Sequence, residues 1–538
     1  MNVLVLNLTR LGDLLQSQPA ISGLAADGHR VGLVCLDNFA PAAELMRDVD
    51  ALFALRGGRL LARLQADWRG ALASHRELFD AVRAEFPPDV VINLTPSQPA
   101  RLLAMTLAMT RGEDGAAERT RGFVMDELGF NADSSLWAAF LQQAGVSRGA
   151  SPFNVVDMFR RIAGVRTELP AGASPLRGPT DGERAAARER LLSLVPRAPE
   201  KGFVALQLGA SEDRRRWPVE YFAQAAQGLV QAGYAPVLVG SPSERPLAER
   251  LKAACPAPVA ESVADLVGGT NLRELASALC NCSLLITNDT GTLHLAAGLG
   301  VPCLAIFLCT AQPWDTGPML PGSVNLEPDC RTAEGPCHPC AFGAACPNDL
   351  ACRRAVEPAG VLNMALAMLA GDDPAGVAVP GARVWRTVRG ADGLLDLESL
   401  SGHEGEDRTR FIRLQRALYR PYLDGEPLPK AAAPAGLSPE VSAALARTVD
   451  EAVGLLVLLQ RQGEILAREP LPAMKTKFLA TWQRVRGALE GQERLALLAS
   501  LWTFEAERPG LDLAGILALA RRYAEILGKI RQSVAGGT

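Results

Sequence analysis

Short, uninterrupted apolar runs recur along the chain as far as Leu308, each closed by a polar turn and followed by apolar positions at helical spacing. This is the pattern of buried parallel strands alternating with helices. Asn2 to Leu8 predicts a strand, Thr9 to Asp13 a tight turn, and residues 14–26 a helix; Arg30 to Leu36 and Asp89 to Leu94 predict further strands. The Pro/Gly-rich stretch Leu169 to Gly182 reads as a linker, which bounds a first Rossmann-like domain at residues 1–180. A second alternation fills residues 181–370. It has strands at Phe203 to Leu208, Pro236 to Val239 and Leu284 to Thr287, helices at Val219 to Ala232, Arg245 to Ala254 and Leu272 to Asn281, and a closing strand at Val301 to Leu308. The expected fold class is α/β: two Rossmann-like domains facing a cleft, followed by a C-terminal all-α domain.

Leu284 to Gly300 is the most informative stretch. Its apolar run ends in Asn288-Asp289-Thr290-Gly291 and reopens as a helix from Thr292, which gathers free backbone N–H groups at residues 290–293. Such a helix start can hold a phosphate, because its first N–H groups lack internal partners and the dipole favours negative charge. His294 in the first turn would face that ligand; alternatively it is a satisfied histidine of an ordinary loop. Gly12 and Asp13 follow the first strand, where open α/β sheets place their ligands. A sugar transfer needs a base for the acceptor hydroxyl and a stabiliser for the departing diphosphate. Asp13 is the candidate base, with capping of the first helix as the plainer role. Arg214-Arg215-Arg216 supplies fixed positive charge after the strand ending at Leu208, or is a solvated basic turn. No GxGxxG fingerprint follows the first strand, which argues against a dinucleotide dehydrogenase and suits a two-domain sugar transferase.

Composition narrows the field. A formal net charge of -4 gives no global basic field, so nucleic acid is not an expected partner. No apolar stretch reaches the length of a bilayer span, and the N-terminus opens directly on a strand, so the expected location is the cytoplasm, including peripheral association with the inner face of its membrane. Five of the eleven cysteines crowd into residues 330–352. Cys337, Cys340, Cys346 and Cys352 have the spacing of a tetrahedral thiolate site for structural zinc or iron, with Cys330 or His338 in reserve; free thiols are the alternative.

Residues 371–437 are expected to be a linker region holding a short strand and a helix at Arg408 to Tyr419. Ser438-Pro439-Glu440 then opens a helical bundle over residues 438–538, with Val441, Leu445, Val449, Val453, Leu456 and Leu459 on one apolar face. Breaks at Pro470, Gly491 and Pro509-Gly510 imply short connections and antiparallel neighbours. The tail is expected to pack its own core and to bind a protein partner or mediate oligomerisation.

Three motifs carry a resemblance. Asn7-Leu8-Thr9-Arg10-Leu11-Gly12-Asp13, the segment from Ser211 to Arg216-Trp217-Pro218, and Asn288-Asp289-Thr290-Gly291-Thr292-Leu293-His294-Leu295-Ala296-Ala297 occur in the order and at the spacing seen in glycosyltransferase family 9, the ADP-heptose:lipopolysaccharide heptosyltransferases, over residues 1–370. The resemblance implies a GT-B fold and inverting transfer of a sugar, a heptose, from a nucleotide-diphosphate donor to a lipopolysaccharide-type or other cell-surface glycan. The alternatives are a protein acceptor, as for autotransporter or flagellin-type enzymes, and an inactive sugar-nucleotide-binding scaffold. It implies Asp13 as base and Thr9, Arg10 and Gly12 as an acceptor-side loop. It also implies donor contacts from Ser211, Arg215, Glu244, Asp289, Thr290, Gly291, Thr292 and His294, with Glu244 on the ribose. Arg215 stands where relatives carry Lys, and Ala210 and Ser211 where relatives have two hydroxyl residues. Autotransporter-modifying relatives hold iron in a comparable Cys cluster, and no cofactor is implied for the chemistry itself.

Overall fold

Unbroken Val, Leu and Ile runs can satisfy both faces only inside a covered sheet, and that is where the computed structural model puts them. It describes residues 1–57, 67–111, 115–126, 128–145, 151–167, 175–332, 335–341, 343–431, 433–508 and 510–535. These form two compact units, Met1–Arg121 with Phe153–Gly402, and Gly122–Pro152 with His403–Thr538.

The first unit holds two sheets. In the first, β1 (Asn2–Leu6) is followed by α1 (Leu11–Gln16), α2 (Gln18–Ala26), β2 (Arg30–Leu36), β3 (Ala51–Leu55), β4 (Val90–Asn93) and β5 (Thr120–Gly122). Strand order is β3-β2-β1-β4-β5, with β1 parallel to both β2 and β4. The chain therefore reverses direction across the sheet between β1 and β4, and the crevice at that switch point lies outside their carboxyl ends. The helix expected over residues 14–26 begins earlier, at Leu11, and is interrupted at Ser17. Pro19 explains the break: without an N–H it cannot continue the ladder from α1.

The second sheet is built from β6 (Gly202–Gln207), α3 (Val219–Gln231), β7 (Tyr234–Val239), β8 (Ala264–Asp265), β9 (Cys282–Asn288), α4 (Gly291–Gly298), β10 (Cys303–Ile306), β11 (Val324–Pro328), β12 (Ala382–Arg389) and β13 (Leu395–Ser399). Its order is β13-β12-β11-β10-β9-β6-β7-β8, which puts the switch point between β6 and β9. Of the linker expected at 169–182, residues 169–174 lie outside the described residues, and Asp181 already opens a helix whose Thr180 and Glu183 form a capping box.

The sheet does not end near Leu308, as the apolar pattern suggested. β12 and β13 add antiparallel strands at one edge, so residues 382–399 belong to this sheet and not to a linker. The edge is fixed by side chains as well as register. Arg383 opposes Glu327 and pairs with Asp329 at 2.9 Å, while Trp385 Nε1 donates to Glu327 Oε2 at 2.8 Å.

The second unit contains helices Leu136–Ala144, Asp407–Asp424, Pro439–Arg468, Pro472–Glu490, Ala496–Ala506 and Leu513–Ala535. Residues 122–152 pack here instead of in the first domain. Trp137 Nε1 donates to Asp424 Oδ1 at 2.9 Å, and Phe140 meets Tyr419 edge to face. Leu445, Val449, Leu456 and Leu459 are buried as expected of a core-facing stripe. Among the described residues no helix is long and apolar enough to cross a membrane.

Candidate functional site

Two asparagines at the carboxyl ends of the switch-point strands shape the loops that follow. Asn7 is buried just beyond β1; its Nδ2 donates to Asp13 O at 3.1 Å, and its Oδ1 accepts from the Thr9 N–H at 3.2 Å and from the Thr9 hydroxyl. The turn Thr9 to Asp13 is thereby folded back over the strand end. Arg10, exposed, is the N-cap residue of α1, so Asp13 sits within the first helical turn and is not the cap. Asn288 does the same for the second sheet. Its Nδ2 donates to Leu208 O and Gly209 O, both at 3.0 Å, and its Oδ1 accepts from Trp217 N at 2.9 Å. The 208–217 loop and the 289–291 turn are therefore held together where the sheet's chain direction reverses.

This arrangement assembles several of the residues named from sequence. Arg215 donates through Nη1 to Ser211 Oγ at 3.0 Å and through Nη2 to Asp289 Oδ2. Asp289 Oδ1 stands 3.9 Å from His294 Nε2. Burial lowers the His294 pKa and Asp289 partly opposes that shift, while Nδ1 of His294 and Nε of Arg215 have no hydrogen-bond partner among the described residues. Thr290 is the N-cap residue of α4, and its Oγ1 lies 3.3 Å from Thr287 Oγ1. Glu244 reaches in from the end of β7. Its Oε2 accepts from Ser241 N at 2.6 Å and Ser241 Oγ at 2.8 Å, so it also closes a capping box.

The two sheets meet at glycines. A Cβ on Gly12 would stand 2.6 Å from His294 Cδ2, so the Asp13 turn rests directly on the His294 ring. A Cβ on Gly291 would meet the Leu11 side chain at 3.0 Å. The sequence reading assigned Gly291 to phosphate approach; in the structure the same bare backbone admits Leu11 of the neighbouring turn.

The cysteines form a string of sulfur contacts. Cys309 hydrogen-bonds Cys340 and lies 3.8 Å from Cys352; Cys352 contacts Cys330, which lies 2.7 Å from Cys337. Hydrogen-bonding contact with Cys340, and then with Cys352, pushes the Cys309 thiol up, contact with Cys352 pushes Cys330 up, and contact with Cys309 and Cys330 pushes the Cys352 thiol down. Cys346 stands apart from this string, accepting the Leu350 N–H at 3.3 Å. Cys309 ends the strand expected over 301–308 and was hidden from spacing arguments by the distance to the other cysteines. The insert also grips the Arg215 loop: Cys309 Sγ lies 2.9 Å from Arg214 O, Arg214 Nη1 donates to Ala344 O at 3.1 Å, and Arg353 Nε donates to Arg216 O at 2.9 Å.

Residues 127–334 match the model of glycosyltransferase family 9 (heptosyltransferase). Among curated proteins, the chain is 37% identical over 93 residues to lipooligosaccharide heptosyltransferase 2 of Haemophilus influenzae, covering 17% of this chain and 27% of that one. It is 32% identical over 154 residues to lipopolysaccharide heptosyltransferase 1 of Pseudomonas aeruginosa, covering 28% and 39%. The alignment thus spans about a quarter of the first relative's length. In three dimensions, E. coli ADP-heptose lps heptosyltransferase II superposes with a TM-score of 0.50 at 19% identity, covering 69% of this chain and 99% of that one. At that identity the likeness speaks for the fold alone. Residues 127–334 are therefore similar to glycosyltransferase family 9 (heptosyltransferase), and the fold is GT-B.

Proposed function

We propose that the protein is an inverting glycosyltransferase that moves a heptose from a nucleotide-diphosphate donor such as ADP-heptose to a hydroxyl of a lipopolysaccharide-type acceptor. The observation that carries this reading is the direct packing of the Gly12-Asp13 turn on His294, which puts a carboxylate-bearing turn of one sheet against the turn of the other that bears Asp289 and His294 and holds Arg215. Asp13 takes the acceptor's hydroxyl proton as that oxygen bonds the anomeric carbon. The sugar–phosphate bond breaks on the opposite side, and the electron pair leaves on the diphosphate. Arg215 and the first N–H groups of α4 stabilise that charge, guanidinium offering paired contacts where lysine offers one. His294, which burial favours in its neutral form, stands beside Asp289 at the same turn.

Incubation with a nucleotide-sugar panel and heptose-deficient lipopolysaccharide, read by mass spectrometry, tests the reading. Addition of one heptose to the lipopolysaccharide is expected. Transfer to a protein side chain instead would move the acceptor, and binding without transfer would favour a scaffold.

The thiols are proposed as a structural metal site for zinc or iron, its ligands drawn from the string Cys309, Cys340, Cys352, Cys330 and Cys337, no three of which lie mutually within 4.8 Å. Thiolate donors suit either metal. The ion would tie the insert to the end of β10 and leave the sugar chemistry to other residues.

A further inference from the structure

Gln207 is the last residue of β6, one strand from β7 and one from β9, and is 4% exposed. A buried primary amide needs partners on both ends, and here each end serves a different part of the site. Nε2 donates to Glu244 Oε1 at 2.8 Å, and Oε1 accepts from Thr292 Oγ1 at 3.2 Å. Chemistry sets this orientation, since a carboxylate only accepts and the threonine hydroxyl can donate. Glu244 has one oxygen on its own cap at Ser241 and the other on Gln207, so the amide decides where the carboxylate points. Gly209 allows it to point there: a Cβ at that position would lie 1.3 Å from Glu244 Oε1. Thr292, at the other end, is in the first turn of α4, beside the turn assigned to the diphosphate.

We infer that Gln207 is a positioning residue that sets the ribose-facing carboxylate of Glu244 at a fixed distance from the diphosphate turn, and so makes recognition of the donor depend on its ribose hydroxyls. The inference rests on the donor reading above. Its signature is discrimination, not affinity alone. Wild type should bind ADP more tightly than 2′,3′-dideoxy-ADP, because Glu244 accepts from the ribose hydroxyls. In Gln207→Leu, Glu244 loses the bond that aims it, and in Gln207→Glu the donor to Glu244 is replaced by a second carboxylate.

Calorimetry with the two nucleotides on wild type and both variants is the test, with thermal melting to confirm folding. The expected result is that the wild-type preference for ADP, roughly tenfold or more for a charge-assisted hydrogen bond, collapses towards unity in both variants while dideoxy-ADP affinity changes little. If folded variants keep the full preference, Gln207 is only a packed core amide and the inference is overturned. If wild type binds neither nucleotide, the donor reading itself has failed. If wild type binds both equally, Glu244 does not read the ribose and the inference falls with it.

Discussion

Gly12, Asp13 and His294 show how much depends on single side chains. Gly12→Ala would drive a methyl into the His294 ring, which is buried and has nowhere to yield. Overpacking of this kind costs about 1–3 kcal/mol; chemical denaturation should show that loss, together with reduced transfer. His294 also predicts a pH effect. Its pKa is held below the ordinary 6.5 by burial, so on acidification the unfolded chain takes up a proton first. Stability from this residue is complete above the unfolded value and falls as pH drops below it. The melting-temperature advantage of wild type over His294→Gln should therefore shrink between about pH 7.5 and about pH 5.5; a widening gap would contradict the assignment.

At the scale of elements, the parallel strands and their helices were legible because an apolar run of fixed length has few alternatives in an α/β protein. The helix at Arg245–Ala254 falls where the pattern put it. The antiparallel edge was not legible: β12 reads Ala-Arg-Val-Trp-Arg-Thr-Val-Arg, and its buried Arg383 makes sense only beside Asp329, which sequence spacing does not reveal. The same holds for Gln207 and Asn288, polar residues buried at strand ends whose partners lie on other loops. A polar amide closing an apolar strand was the available signal. The Cys insert carries an elemental prediction. Protein purified anaerobically should contain about one zinc or iron per chain, as for a single thiolate site. Cys309→Ser and Cys340→Ser should lose it, whereas Cys346→Ser should retain it; retention in Cys309→Ser would return the site to the four cysteines suggested by spacing.

For the molecule as a whole, the second unit recruits residues 122–152 across a sequence separation of 287 between Trp137 and Asp424, which no local pattern could announce. Its core contains a buried acid: Tyr422 Oη donates to Glu505 Oε1 at 2.6 Å and Tyr523 Oη at 3.1 Å. Glu505→Leu should remove the acceptor these hydroxyls share, leaving them only each other, and destabilise that unit by about 1–3 kcal/mol, measurable as an earlier denaturant transition. In the first unit, the proposed chemistry sets a carboxylate on one sheet against a diphosphate site on the other. Its most direct test is Asp13→Asn, with sugar transfer and nucleotide affinity measured on the same preparation. Transfer should fall by about 10²–10⁴ with nucleotide affinity unchanged; wild-type turnover in a folded variant would contradict a catalytic role for Asp13.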